Sequence, residues 1–517
     1  MRLTRRGAKY LALLTGSALV LTACATSGGE SDDAAATVGG AAEPAETGAS
    51  APAAGGSDTV FTYGYEQEVF SYNQDTAETN ASANAIVLNQ IKRGFWYFGP
   101  DGTIEPDTEF GSFEVTSEEP LTVEYTFAEG AVWSDGEPID CDDAVLYWAA
   151  MSGTFEGFSQ SGTSGYESTD RPQCEDGDTT FTIVYNTPYG DYTSQYGNFI
   201  PAHIVEEQGG VEDIIAAVDA GDPAALAGAV EVWNTGFNFN PGEWNNDVAL
   251  SAGPYNVEAW DAAQSITLVA NPEWWGTPPA SDTIVIRFIA QDAQAQALQN
   301  GEIQAMDPQP NPDLLAQLEA IGDTVTVEPQ DQYTYEHFDF NFQGPFTDPI
   351  LREAFALCLP RQQMVDSLIV PLNPDAAVLN SRYSFPFEED YEEVAGAVYN
   401  GQAEQDIEAA AALLEENGLT GQELRLGHNA NERRAQQAAL VTEACGPNGA
   451  GFDVQDIGNE DFFEAEGELA TGAFDVAMFA WAGSPLVSGS SSTYTTVAEG
   501  ASKGNNNGYY SNPRSTP

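Results

Sequence analysis

Apolar residues recur along this chain in two spacings, and the switches between them outline its elements. In Leu121-Thr122-Val123-Glu124-Tyr125-Thr126-Phe127 they alternate with period two, as in a strand buried on one face. Thr59-Val60-Phe61-Thr62-Tyr63-Gly64-Tyr65, rich in β-branched and aromatic residues, predicts the strand that opens the folded body. Between them Ala85, Ile86, Leu88 and Ile91 predict a helix over 83–91. Glu129-Gly130 and Ser134-Asp135-Gly136-Glu137-Pro138 are turn signals on either side of a short strand with Val132 and Trp133. Asp140 is placed to cap a helix from Cys141, whose acidic first turn complements the helix dipole. Further on, Asp348 precedes a proline at the first helical position. Ile350, Leu351, Ala354, Phe355 and Cys358 then form one stripe, and Pro360 ends it. Asp292 reads as the cap of a helix over 293–299, Asn300-Gly301 as its left-handed end and Ile303 as the next strand. Strands alternating with helices predict α/β lobes.

Before the first strand the pattern is different. Arg2, Arg5, Arg6 and Lys9 precede an apolar run, Leu11 to Val20, too short to span a bilayer. With Leu21-Thr22-Ala23-Cys24 this resembles the lipobox of bacterial lipoproteins, which implies a signal segment over 1–24 and acylation of Cys24 as the new N-terminus. An ordinary cleaved signal peptide with an incidental cysteine is the alternative. Arg5-Arg6 hints at twin-arginine export, but Gly7, Ala8 and Lys9 fit that pattern poorly, and the general secretory route is expected. Residues 25–58 are almost wholly Ala, Gly, Ser, Thr, Pro, Glu and Asp, and predict a disordered tether. Its end-to-end distance is on the order of 30 Å. No later run is apolar for long enough to cross a membrane, so the lipid is expected to be the anchor, on the extracellular face of the cell membrane.

The chain has 80 acidic and 16 basic residues, a formal net charge of −64. Such a surface repels phosphate backbones, which excludes nucleic acid as a partner. The carboxylates are spread along the whole chain and read as a solubility adaptation. Export removes access to ATP, NADH and reduced thiols, so binding or extracellular hydrolysis remains and no cofactor is expected. Four cysteines follow Cys24 and imply two disulfides in an oxidising compartment. Of three pairings, Cys141 with Cys174 and Cys358 with Cys445 is the most local. No CxxC or CxxH spacing occurs, and His203, His337 and His428 are far apart, so no metal site is expected.

Tyr125-Thr126-Phe127, Glu129-Gly130, Val132-Trp133-Ser134-Asp135-Gly136-Glu137-Pro138 and Asp142-Asp143-Ala144-Val145 together resemble the signature of family 5 extracellular solute-binding proteins, the oligopeptide- and dipeptide-binding class of ABC importers. Ile200-Pro201-Ala202-His203-Ile204, Ser251-Ala252-Gly253-Pro254-Tyr255, Asn271-Pro272-Glu273-Trp274-Trp275-Gly276, Phe340-Asn341-Phe342 and Phe346-Thr347-Asp348-Pro349 extend it in order. Gly94-Phe95-Trp96-Tyr97 and Leu379-Asn380-Ser381-Arg382 are most similar to actinobacterial members. The resemblance implies a two-lobe α/β fold like that of periplasmic binding proteins. Lobe I is expected over 59–287, with an inserted subdomain at about 103–244, and lobe II over 288–517. It also implies a monomer that captures peptides or peptide-like solutes and delivers them to an ABC permease and its ATPase. The ending at Tyr510-Ser511-Asn512-Pro513 breaks a motif after which relatives continue, which implies a truncated or frameshifted chain.

Ligand contacts are carried over by position. Trp481-Ala482-Gly483-Ser484 matches the family segment that reaches into the cleft, where an aspartate commonly pairs with a peptide α-ammonium. Ser484 stands in that place and supplies no charge. Tyr65, Glu66 and Asn341 are further cleft candidates, whereas Trp133 and Trp148 are read as core. Alternatives are a same-family binder of oligosaccharide, metal chelate or haem, and, from another class, a secreted hydrolase. No Gly-x-Ser-x-Gly, Ser-x-x-Lys or His-Glu-x-x-His motif supports the hydrolase.

Overall fold

The computed structural model describes residues 2–5, 59–99, 102–309, 311–328, 332–398, 404–464, 466–483, 486, 493 and 503–511. The predicted opening strand, Val60–Tyr65, is the middle of a seven-stranded mixed sheet. It runs parallel to Thr283–Phe288 on one side and to Ala305–Met306 on the other. Ser265–Ala270 and Tyr255–Asp261 continue the first side as antiparallel strands. On the second side the backbone of Arg2–Arg5 lies antiparallel to Ala305–Met306 and to Val325–Glu328. Arg2–Arg5 belongs to the expected leader, so its removal leaves Val325–Glu328 with no strand neighbour among the described residues. Cys24 and the tether lie outside the described residues.

The segment 103–244 carries its own antiparallel sheet of Gly111–Glu118, Leu121–Phe127 and Thr180–Val184. In Leu121–Phe127 the alternation is realised, with Val123, Tyr125 and Phe127 buried. Phe95 stands at the centre of a ring cluster, with Phe110, Tyr125, Phe127, Phe181 and Phe199 at centroid distances of 5.4, 5.0, 5.3, 5.9 and 6.1 Å. Ile266, Leu268 and Ile286 of the large sheet join the same apolar cluster, so the insert extends the first core and has no separate one. Three of the quoted motifs meet at one carboxylate. Asp140 and Asp143 form a reciprocal capping box at the start of Cys141–Met151. Asp143 also accepts from Trp133 Nε1 at 3.1 Å and from Ala202 N at 2.8 Å.

The second sheet has the order Thr334–Phe340, Val476–Ala482, Glu423–Gly427, Asp453–Asp456. The helices Pro349–Cys358 and Glu432–Cys445 share its core, built on Phe355, Leu424, Leu426, Val441 and Met478. Asp348 caps the first of these through Ile350 N, as the sequence predicts. The cysteines pair as Cys141–Cys174 and Cys358–Cys445, one bridge in each lobe.

Two expectations are corrected. The first lobe does not stop at 287: Ala305–Met306 pairs with Tyr63-Gly64, and Leu298, Ile303, Met306 and Leu314 form a cluster beside that sheet. A parallel neighbour requires a crossover segment, here Gln291–Asn300, so the chain passes to the second sheet only between Glu328 and Thr334. Asp292 is not a cap either. The helix starts two residues earlier, at Gln291 after Ala290, leaving Asp292 in the first turn, while Gly301 takes the left-handed end at φ 76°. Residues 503–511 touch both lobes. Asn505 N donates to Ser161 O at 3.1 Å and Asn80 Nδ2 to Asn505 Oδ1 at 3.0 Å, while Phe342 N donates to Gly508 O at 2.7 Å. Lys503 Nζ donates to Ala470 O at 2.8 Å. No helix among the described residues is long and apolar enough to cross a membrane.

The bridges close loops of 33 and 87 residues. Chain entropy then assigns them about 4 and about 5 kcal/mol. Replacing Cys358 and Cys445 with serine is expected to lower denaturant-derived stability more than replacing Cys141 and Cys174. The reverse order would contradict the entropic account.

Candidate functional site

Between the two sheets lies a cavity of about 1670 Å³. Tyr63, Tyr65 and Glu66 enter it from the end of the central strand, and Gln309 from beyond Ala305–Met306. Tyr335, Glu336, His337 and Asp339 enter it from Thr334–Phe340, and Arg433, Arg434 and Gln437 from the first turns of Glu432–Cys445. Asn431 caps that helix by accepting from Arg434 N at 2.8 Å. The cap fixes where the helix begins and sets Arg433 and Gln437 four residues apart on one face.

Glu336 is the electrostatic centre. It accepts from Arg433 Nη2 at 2.7 Å and from Arg434 Nε at 2.7 Å. Burial alone would raise its pKa, but the two guanidinium groups outweigh burial and hold the carboxyl at about 2. Arg434 also donates to Asn429 Oδ1, and its guanidinium stands 5.7 Å from the centre of the Phe463 ring. Arg433 Nη2 donates further to Gln309 Oε1 at 2.8 Å, and Gln309 Nε2 donates to Glu66 Oε1 at 3.2 Å. One relay of hydrogen bonds thus joins the first lobe to the second across the cleft floor. Burial pushes the Glu66 carboxyl up, and Arg434 and Arg433 draw it back only in part. Burial also drives Tyr65 and Tyr335 up to about 12, which keeps both phenols neutral.

Several polar atoms around this relay have no hydrogen-bond partner: Arg433 Nε, Gln437 Oε1, Gln294 Oε1, both His337 ring nitrogens and Trp481 Nε1. A buried polar atom left unpaired costs about 1–3 kcal/mol, so the wall behind this part of the cavity is polar and under-satisfied, with His337 Nε2 standing 3.5 Å from Asp339 Oδ1. The charge balance changes here too. Arg361, Arg382, Arg433 and Arg434 face five lining carboxylates, against 16 basic and 80 acidic residues in the chain.

The sequence candidates fare unequally. Tyr65 and Glu66 line the cavity. Trp481 in Val476–Ala482 is not among the lining residues; its ring is stacked on that of the lining His337 at 5.9 Å and edge-on to Phe479 at 5.1 Å. Gly483 is a backbone approach: its N–H donates to Tyr333 O at 3.1 Å, and a Cβ there would meet that oxygen at 2.1 Å. Ser484 lies outside the described residues. Asn341 is a correction. It is buried away from the cavity lining, with Nδ2 donating to Gly472 O and Phe474 O and Oδ1 accepting from Gln343 N, so it braces a turn. His203 pairs with Asp135 at 3.0 Å in the first lobe and is not in the cavity. The buried arginines were missed, although Arg433-Arg434 is the sole Arg-Arg pair after the leader.

A ligand-sized cleft between two α/β lobes defines the class of bilobal solute-binding proteins. The same fold occurs in the periplasmic EDTA-binding protein EppA, at a TM-score of 0.66 and 23% identity over 88% of this chain and 83% of that one. It occurs also in AppA from Bacillus subtilis, at 0.65 and 18% over 88% and 85%. The model of the bacterial extracellular solute-binding proteins, family 5, middle region, matches residues 111–503, and the chain belongs to that family. An uncharacterized lipoprotein of Mycobacterium tuberculosis is 29% identical over 459 residues, 86% of this chain and 78% of its own length. The oligopeptide-binding protein OppA of the same organism is 28% identical over 416 residues, 78% of this chain and 65% of its own length.

Two outcomes follow for this site. Glu336→Gln is expected to cost about 3–5 kcal/mol at neutral pH because it uncouples two buried guanidinium groups. The wild-type pKa is depressed, so the carboxylate's contribution is complete above its ordinary value of 4.5 and is lost as pH falls toward about 2. Denaturation at pH 7 and pH 3 should show the gap between the two proteins narrowing in acid. Asn341→Ala is expected to lower the melting temperature without altering ligand affinity. Trp481→Ala should lower both the melting temperature and ligand affinity, because its ring packs on His337 and Phe479 beside the cavity lining, and calorimetry with scanning fluorimetry distinguishes the two.

Proposed function

We propose that this chain is the capture component of an ABC importer, held at the outer face of the cell membrane by lipid on Cys24, and that it takes peptides or peptide-like solutes between its lobes. The cavity carries the reading. Small-molecule sites commonly occupy about 300–1,000 Å³. At about 1670 Å³ this one is larger, and its lining combines aromatic faces with charged and polar side chains. An extended ligand with repeating amide groups suits such a lining, and water fills the remaining space around variable side chains. Support comes also from the relative named an oligopeptide-binding protein and from the AppA structure, which is a complex with a nonapeptide.

Capture works by differential affinity: a ligand that touches both lobes only when they approach shifts the open–closed equilibrium by that extra contact energy. The relay through Gln309 is one such contact between lobes. The closed monomer is then presented to a permease and its ATPase, with no catalytic step and no cofactor in this chain.

Mass spectrometry of the solute that co-purifies with the protein is the direct test, and a family of short peptides recovered intact after prolonged incubation is the expected result. Recovery of a sugar, a haem or a metal chelate alone would overturn the peptide reading. Cys24→Ala is expected to free the protein from the membrane with unchanged affinity. Retention of that variant after a high-salt wash would count against the lipid anchor.

A further inference from the structure

We propose that the cleft holds an aromatic subsite on the second lobe, formed by Tyr383 and Phe387 over a floor of Phe385, and that it seats an aromatic or large apolar side chain of the ligand. The inference rests on the peptide reading above and names the side chains that this site favours.

Among the described residues six large apolar side chains are exposed, and two of them, Tyr383 at 39% and Phe387 at 43%, line the cavity. Both offer uncovered ring surface to a ligand. Phe385, between them in sequence, is only 5% exposed and supplies the floor. Its ring stacks on Phe387 at 5.8 Å, stands edge-on to Tyr333 at 5.2 Å and lies 6.0 Å from Tyr335, while Tyr333 is edge-on to Phe387 at 5.1 Å. The floor is thus packed and the rim rings stay open.

Residues 371–390 form no helix or strand, yet hydrogen bonds fix the rings in place. Asn380 N donates to Tyr391 Oη at 3.0 Å, Ser384 Oγ to Asp390 Oδ1 at 2.7 Å and Phe385 N to Glu388 Oε2 at 2.7 Å. A subsite ordered in advance spares the ligand that ordering cost. Charge decides which side chain fits. Aromatic faces attract cations as well as apolar groups, but the Arg382 guanidinium already stands 4.5 Å from the centre of the Tyr383 ring and donates to its hydroxyl at 2.6 Å. A second cation would meet that charge. Glu388 spends its other carboxylate oxygen on the Tyr333 hydroxyl, at 3.4 Å. A neutral ring or branched alkyl group meets no such conflict and gains by covering exposed ring surface. Position agrees: Tyr333 lies in the crossing between the lobes, and a Cβ added to Gly102 of the first lobe would stand 3.7 Å from Tyr333 Cε2. The subsite therefore sits where the lobes meet.

The test uses the intact protein and native mass spectrometry against pentapeptides of glycine and serine in which one position, scanned along the chain, is phenylalanine, leucine, lysine or serine. Phenylalanine and leucine peptides are expected to bind about tenfold to a hundredfold more tightly than serine peptides, the range that burial of one large apolar side chain supplies. Lysine peptides are expected to bind no better than serine peptides; tightest binding by lysine would mean that the rings hold a cation, and the inference fails. Equal occupancy by phenylalanine and serine peptides overturns the subsite while leaving peptide capture intact, whereas binding of no peptide overturns the peptide reading itself. Phe387→Ser alters a side chain that is already exposed, so it should fold normally and lower the phenylalanine-over-serine ratio severalfold. Phe387→Leu keeps an apolar face and should retain most of that ratio. A ratio unmoved by Phe387→Ser would overturn the placement of the subsite.

Discussion

One buried carboxylate between two guanidinium groups sets the geometry of the cleft. Glu336 belongs to the edge strand of the second sheet and Arg433 and Arg434 to a helix nearly one hundred positions later, so their contact fixes the helix start against the strand. The Cys358–Cys445 bridge pins the far end of that same helix. With both ends held, the orientation of its cavity face is not free to drift. The desolvation of three charged groups is costly, so the cluster adds little net stability although removing one member of it is strongly destabilising. A cavity face held at both ends is ordered before any ligand arrives.

What could be read from the sequence was what local physics decides. The alternation in Leu121–Phe127 corresponds to burial because the strand has one wet face and one dry one. Asp140 and Asp348 were legible as caps because a cap is satisfied within a few residues. Two failures share the opposite cause. The lobe limit depends on a parallel pairing between Ala305–Met306 and a strand some 240 positions earlier, which no window of sequence contains. Asn341 was misassigned because an amide that faces a ligand and one that braces Gly472 and Phe474 have the same local surroundings. Arg433 and Arg434 did carry a signal: paired cations are conspicuous in a chain so acidic, but their partner is remote in sequence.

The acidic surface and the cleft act over different ranges. A net charge of −64 produces a repulsive field toward anions that falls off within about 8–10 Å at physiological ionic strength. A hydrogen bond made inside the cleft acts over about 3 Å, a range at which salt weakens it little. The acidic surface thus acts on a charged solute at a distance, and the cleft only at contact.

The scarcity of lysine has a practical consequence. After Cys24 the chain has only Lys92 and Lys503. Lys92 is 3% exposed, stands 4.9 Å from the centre of the Tyr72 ring and is enclosed in the first core, where burial lowers its pKa to about 8. Reagents that acylate amines cannot reach it in the folded state. Lys503 is half-buried and lies in the segment that touches both lobes. An amine-reactive fluorophore therefore attaches at a single internal position, Lys503, in a segment that touches both lobes. The composition that makes this chain so acidic also leaves a single partly exposed internal amine at the junction of its lobes, a natural site for an optical label.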